Sequence, residues 1–420
     1  MESNYKKLLP IIIVTGLSSL GAGMFSFALL LDFASYPGEV WRGGLVLSIY
    51  FLVKILASPS LGTYVDFVRN KTTVLLINQM GGLLLYIPML FLNWHLNLHF
   101  SLIIILLTTE IILNRMSVAA ILCLIKQLGE TKEGIRQCIA LQETCDRILG
   151  VLAPVLGAMV LANAGLRSLI LVNIFSYIPA ILIITIFWDE LKSKTQKITQ
   201  ANQRYREVFK GSILGIYSNA KIIFGAREVR DAIIIIMLIN ATWSIFPLYM
   251  SAAFGTSTSG KYLFSVGMSC FNIGAVLVGV LATSNLIKLE LGYRRIVKLY
   301  VLLSMLPLVL LFTKANVSQL FVYFFIGAMG AMLAILLSSI ITFASPNDNV
   351  GGVNSTISSI GNVISPISVI LYGYFVTAKS PTLVFIIMNL VFLFILLVYM
   401  GVNRFFIMKA YFTREVYNDI

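Results

Sequence analysis

Charge is what this sequence has least of. Only 12% of its 420 residues are Asp, Glu, Lys or Arg, roughly half the share of an ordinary soluble domain, while 58% are apolar. So few polar side chains cannot clothe a water-soluble globule of this size, and a bilayer is the solvent that fits. Histidine is scarcer still. His95 and His99 have a spacing open to a metal, but two imidazoles without a third ligand make no site, and no metal is expected. The four cysteines, Cys123, Cys138, Cys145 and Cys270, show no Cys-x-x-Cys pairing and read as small apolar fillers.

What the chain has in abundance is long apolar runs. Twelve stretches approach or exceed the roughly 20 helical residues that cross about 30 Å of hydrocarbon: 8–33, 40–62, 73–93, 99–124, 139–163, 165–188, 231–252, 261–287, 296–313, 318–343, 349–376 and 381–403. Lipid offers no partner to a bare amide and the runs are too long for barrel strands, so all are expected to be α-helices. Lys6 and Lys7 precede an apolar run with no small-residue cleavage pattern. The N-terminus is therefore expected to be a first span rather than a signal peptide.

The net charge of +13 is explained by where the charges lie. With the N-terminus inside, 23 Lys and Arg fall in inner loops, at inner span ends or at the termini, and five fall outside (Arg42, Arg167, Lys261, Lys314, Lys379). Lys54, Arg115 and Arg147 lie within spans. This asymmetry predicts that both termini are cytoplasmic and removes the reason to invoke nucleic acid.

The longest polar connection follows the sixth span. It starts DELKSKTQKITQANQRYREVFK and continues into an amphipathic piece, VFKGSILGIYSNAKIIF, suited to the inner membrane surface. The expected organisation is a six-helix bundle over 1–188, a cytoplasmic linker over 189–230 and a second six-helix bundle over 231–420. A faint repeat agrees. The fifth span carries GVLAPVLGAM, with Gly150, Pro154 and Gly157, and the eleventh carries GNVISPISVILYG, with Gly361, Pro366 and Gly373. Gly/Pro-interrupted helices at matching places in two halves are a feature of transporter repeats. Each is equally a helix that packs closely or bends.

Buried charge is concentrated in the first half. The fourth span, LIIILLTTEIILNRMSVAAILCLI, contains Glu110 and Arg115, and intramembrane charges face a protein interior and take partners. Lys54 lies at a similar depth in the second span and could neutralise Glu110. Glu143 and Arg147, four residues apart, share a helix face, and Asp146 lies where Arg115 can reach if the two spans are neighbours. Asp32, at the outer end of the first span, reads as interfacial or as a further member of this relay. The second half instead supplies Asn240, Trp243, Phe246, Tyr249, Met250, Phe264, Met268, Phe271 and Asn272. That lining would suit a large apolar or amphipathic substrate, although any one of them is equally a packing residue.

Between the second and third spans stands LGTYVDFVRNK, residues 61–71, with Gly62, Asp66, Arg69 and Lys71. It resembles the loop 2–3 signature of the major facilitator superfamily, Gly-x-Leu-x-Asp-Arg-x-Gly-Arg-Lys. Gly62, Asp66 and Lys71 match, whereas Arg69 stands for the second Gly. The resemblance implies that Asp66 is a gating latch between two bundles at the cytoplasmic face. Arg115 likewise resembles the superfamily's fourth-span arginine, which implies proton coupling; a structural ion pair is the alternative. Pro154 and Gly157 match the antiporter signature Gly-Pro-x-x-Gly-Gly, with Ala153 and Ala158 replacing glycines. Those passages, with QETCDRILGVLAPVLGAMVLANAGLRSLILVN and NVGGVNSTISSIGNVISPISVILYGYF, resemble the macrolide-efflux branch of proton-dependent exporters. The resemblance implies a monomeric secondary transporter of a bacterial cell membrane that exports drugs or other amphipathic molecules against protons; the alternatives are an exporter or flippase of a siderophore, peptide or lysolipid, a proton symporter, or a transport-inactive membrane receptor or scaffold. Glu110 would bind the proton, with Glu143 and Asp146 as further candidates. GTSTSGKY, 255–262, imitates a phosphate loop, but Tyr262 replaces the Ser/Thr that would bind magnesium. No catalytic triad is visible, so neither enzyme activity nor a cofactor is expected.

Overall fold

The protein was studied as a computed structural model that describes residues 2–36, 38–57, 61, 64–65, 68, 70–93, 95–128, 132–188, 227–283, 293–312, 316–344 and 359–402. These residues form eleven α-helices and no strand. They are α1 (Glu2–Ser35), α2 (Val40–Leu56), α3 (Lys71–Met89), α4 (Asn97–Leu128), α5 (Lys132–Ile186), α6 (Arg227–Phe254), α7 (Thr258–Thr283), α8 (Tyr293–Val309), α9 (Asn316–Ala344), α10 (Ser365–Val376) and α11 (Pro381–Val402). Eight stretches within them are long and apolar enough to cross a membrane, and the apolar parts of α8 and α10 are shorter.

The longest element is really two rods. Gly165 breaks α5 with a φ of +76°, a left-handed conformation that glycine adopts without penalty. The two arms run along α1 in opposite senses. Gly16 and Gly23 of α1 approach Leu149 and Ala153 of the first arm, whereas Gly21 approaches Asn173 and Ser176 of the second, and Val14 clusters with Ala180 and Ile184. The chain therefore folds back at Gly165 with no intervening loop.

Polar side chains within the apolar rods mostly bond their own helix. Ser18 donates to the Val14 carbonyl, Thr108 to that of Ile104 and Asn389 to that of Phe385. That keeps hydroxyls and amides satisfied where no water competes. Packing relies on small residues. A Cβ on Gly274 would sit 2.2 Å from the Phe324 carbonyl oxygen, so α7 and α9 touch backbone to backbone.

Besides the pairs within each half of the chain, α2 packs on α10, α5 on α7 and α1 on α6. Several of these joining contacts lie at the end where the α1–α2, α3–α4 and α6–α7 turns gather. It is the end that the charge asymmetry of the sequence leads one to expect outside, and it is called the outer end. Here Gly44 of α2 meets the Val369 carbonyl of α10, Ser35 donates to the Gly255 carbonyl at 2.9 Å, and Asn163 donates to the Tyr262 hydroxyl at 3.3 Å.

Candidate functional site

The face of α2 that meets the second half runs through positions 43, 47, 51 and 54, as helical periodicity requires. Gly43 lies against Leu248 of α6, and Leu47 and Phe51 pack on the large cluster built mainly from second-half residues. One turn further on, Lys54 extends this stripe inward. Beside it, Arg115 reaches from α4 to donate to the Tyr50 hydroxyl, its guanidinium 4.9 Å from the Tyr50 ring centre. Lys54 thus has Tyr50 and a second cation, Arg115, as its electrostatic neighbours. The pairing of Lys54 with Glu110 that their common depth would allow does not form. The two share a depth but face different ways.

Glu110 points into the first half instead. It is buried, hydrogen-bonded to Asn114 one turn along α4, and flanked by Tyr86 of α3 and Tyr177 of α5. Arg115 is the cation whose field reaches it. Gly82 makes room for this arrangement, because a Cβ there would lie 2.6 Å from the Tyr177 ring. Of the remaining relay candidates, Glu143, Asp146 and Arg147 lie in the first arm of α5, but their side chains fall outside the described residues.

The hinge candidates of α5 meet one of the cavity candidates. Pro154 has no N–H, so the carbonyl four residues earlier, that of Gly150, loses its helical partner. The missing donor comes from α7: Asn272 Nδ2 donates to the Gly150 carbonyl at 2.9 Å, and Ser269 Oγ donates to the next carbonyl, Val151, at 3.0 Å. Gly157 lets α1 close in, since a Cβ there would sit 2.7 Å from the Met24 carbonyl oxygen.

Pro366 behaves differently. It stands in the first turn of α10, where a missing N–H leaves no gap, and the break in this segment is the turn at 361–364 before it. The Ser365 amide donates to Asn362, leaving the Gly361 carbonyl to Asn240 of α6, whose amide donates to it at 2.9 Å.

The aromatic cavity candidates divide. Phe246 and Tyr249 lie in the packed interior, Phe246 stacked on Phe271 at 4.6 Å and Tyr249 on Phe385 at 4.3 Å. Trp243 and Phe271 are only partly buried. Of the latch candidates, Gly62, Asp66 and Arg69 lie outside the described residues. Lys71 is buried and its ammonium donates to the Val65 and Val68 carbonyls at 2.5 and 2.7 Å, tying the turn that precedes α3. Asn70 caps that helix by accepting from the Thr72 amide. The phosphate-loop lookalike forms the α6–α7 turn and the first turn of α7, its Gly260 amide donating to Ser257 Oγ.

One cluster was missed by reading the sequence. At the outer end, His95 of the α3–α4 turn sits between two carboxylates, with Nε2 3.4 Å from Asp32 and Nδ1 2.5 Å from Glu39. Arg42 completes the cluster, 3.3 Å from Glu39 and donating to the His95 carbonyl at 2.8 Å. Its members come from α1, the α1–α2 corner, α2 and a turn more than fifty residues away, so no local spacing announces them. The gathering of Asp32, Glu39 and Arg42 within eleven residues was the available signal. Elsewhere, Asp231 is buried at the start of the apolar part of α6 and accepts from the Tyr399 hydroxyl at 2.5 Å.

The chain shares its fold with solved membrane transporters. It is similar to the nucleoside transporter NupG, with a TM-score of 0.71 and 14% identity over 94% of this chain and 98% of that one. A POT family transporter solved with a thioalcohol-conjugated peptide gives 0.71 at 12% identity over 97% of both chains. A bacterial homologue of the human lysosomal transporter Spinster, inward-facing and unoccupied, gives 0.62 at 12% identity over 94% of this chain and 95% of that one. No family model matches the sequence, and no curated protein does.

Proposed function

We propose that the chain is a secondary active transporter of a bacterial cell membrane, a proton-coupled antiporter that exports amphipathic small molecules or drugs by alternating access. In this reading it is a monomer, and α5 counts as two crossings either side of Gly165. The twelve spans form bundles over 1–188 and 231–420, joined by the 189–230 linker, with both termini cytoplasmic. The bundles rock about the cleft between them, and Asp66, with Gly62, Arg69 and Lys71, latches its inner mouth. The observation that carries the proposal is the pairing of a transporter fold over nearly the whole chain with joining contacts at the outer end and through the Pro154 gap. Contacts of that kind hold one side shut while the other opens.

Glu110 is the proton carrier in this reading. It is buried, has one amide partner, and faces away from Lys54 while Arg115 stays within electrostatic reach. Arg115 links the two faces of α4, since it senses Glu110 and contacts Tyr50 on the cleft side. The test is substrate-driven proton movement in proteoliposomes with an enclosed pH-sensitive dye, across macrolides, lipophilic cations and lysolipids. The expected result is flux with one compound class that Glu110→Gln abolishes; flux undiminished in that variant removes Glu110 from the role.

A second reading is a proton symporter, or an exporter of a peptide or other solute bearing an anionic group. It is favoured by the juxtaposition of Lys54 and Arg115 on the cleft face, two cations that share only a phenol among their described neighbours. Transport of short peptides in the same assay, abolished by Lys54→Gln, would select it.

A further inference from the structure

We propose that Asp32, Glu39 and His95 form a proton-binding site at the outer end of the molecule, which takes up the coupling proton from the outer solution. The argument starts from the imidazole ring. A neutral ring has one N–H and one bare lone pair, so only one of its nitrogens can donate. Both nitrogens of His95 nevertheless face a carboxylate oxygen, Nδ1 that of Glu39 and Nε2 that of Asp32. With one proton on the ring, one of these contacts sets a lone pair against a carboxylate; with two, both become charge-assisted hydrogen bonds. A proton added here satisfies two carboxylates at once.

The surroundings suit loading from water. The side chains of His95, Asp32 and Glu39 keep 24%, 16% and 20% of their surface exposed, so the cluster is reachable yet held in place. Arg42 fixes Glu39 from α2 and anchors the His95 backbone, while Phe100 and Trp41 cover its guanidinium at 5.0 and 5.8 Å. Tyr36 lies against the imidazole, ring centres 3.7 Å apart. Lys261 of α7 is the charge from the second half whose field reaches Asp32. His99, nearby on α4, has its Nδ1 engaged by the Asn93 amide.

The site adjoins the contacts that close the outer end. Asp32 lies one turn before Ser35, which bonds the α6–α7 turn, and Arg42 lies between Trp41 and Gly44, which pack on Gly373 and Val369 of α10. When the proton is bound, the α3–α4 turn is fastened to the α1–α2 corner through both ring nitrogens; when it leaves, one fastening goes.

This inference rests on the proton-coupled reading above for its physiological role, but the binding itself is measurable without a substrate. The chain has two histidines. Full-length protein labelled with 15N-histidine, in lipid nanodiscs, therefore gives two rings to follow between about pH 5 and 9, with His99→Gln for assignment. The expected result is one transition of His95 between a form with two N–H signals and a form with one. Glu39→Gln should perturb the Nδ1 signal, Asp32→Asn the Nε2 signal, and an unmoved His99 signal certifies folding in each. A His95 ring that keeps a single proton throughout, or that ignores both carboxylate variants, overturns the site.

Proton movement in proteoliposomes supplies the second arm. Flux lost in Asp32→Asn and Glu39→Gln supports uptake at this site. Wild-type flux that both variants retain in full overturns uptake here while leaving proton coupling standing. Absence of flux in the wild type, beside an intact His95 transition, overturns the coupling reading and the uptake role but leaves the binding site supported.

Discussion

Two segments that look alike in the sequence are held in the same way and serve different ends. In each, a glycine precedes a proline by four or five residues, and in each an asparagine amide from a neighbouring helix bonds that glycine's carbonyl. The Asn240–Gly361 bond joins α6 to the segment leading into α10, both in the second half. The Asn272–Gly150 bond joins α7 to α5 across the two halves, at a carbonyl that Pro154 has freed. One bond can persist whatever the halves do. The other must stretch or break if they separate on that side, and the freed carbonyl then needs water or another donor.

The largest effect on this contrast should come from Gly44→Leu. The Cβ alone would stand 3.0 Å from the Val369 carbonyl oxygen, and the rest of the side chain must be wedged between α2 and α10. Overpacking of this kind costs about 1–3 kcal/mol, on the order of a tenfold or greater loss of the closed outer arrangement. Cross-linking yield between cysteines placed at 163 and 262, in a chain freed of its native cysteines, should fall accordingly; a yield equal to the parent's would show that the α2–α10 contact does not hold this end shut.

Next comes the paired comparison of Asn272→Leu with Asn240→Leu. Each removes a hydrogen bond inside the membrane that is worth about 0.6–1.7 kcal/mol. Asn272→Leu should lower the same cross-linking yield, whereas Asn240→Leu should lower thermal stability and leave the yield alone. Pro154→Ala sharpens the test, because it returns an N–H to the Gly150 carbonyl. In that background Asn272→Leu should cost less than in the wild type, and equal costs would mean that the bond does not answer the proline gap.

The smallest effect is expected from Ser269→Ala. Val151 keeps a helical N–H one turn on, at Val155, so the loss is a few tenths of a kcal/mol and any change in yield lies near the limit of measurement. A loss as large as that of Asn272→Leu would move the clasp's centre from Gly150 to Val151.

How much of this could be read from residue order follows from range. Apolar run length gave the all-helical membrane fold, and proline and glycine marked the interrupted segments, because both are properties of a few adjacent residues. Facing directions were harder. Lys54 and Glu110 share a depth, but their helices turn them to opposite sides, and apolar runs with polar residues only here and there carry too little periodic contrast to show it. Phe246 and Tyr249 read as cavity lining because aromatic composition does not separate a packed interior from an open cleft. The outer cluster was least legible: His95 meets Glu39 only because α3 returns the chain to the α1–α2 corner.

The backward fold at Gly165 has a consequence for how the protein is made. Its two arms share a single-residue turn, with Arg167 exposed just beyond it. If the two arms are separate crossings, as the twelve-span proposal has it, a segment emerging from the ribosome cannot leave the first arm settled across the bilayer while the second waits in water, because no slack joins them. In that reading the arms enter the membrane as one hairpin, and a residue strained at positive φ in place of Gly165 would be felt during insertion, before any substrate is met.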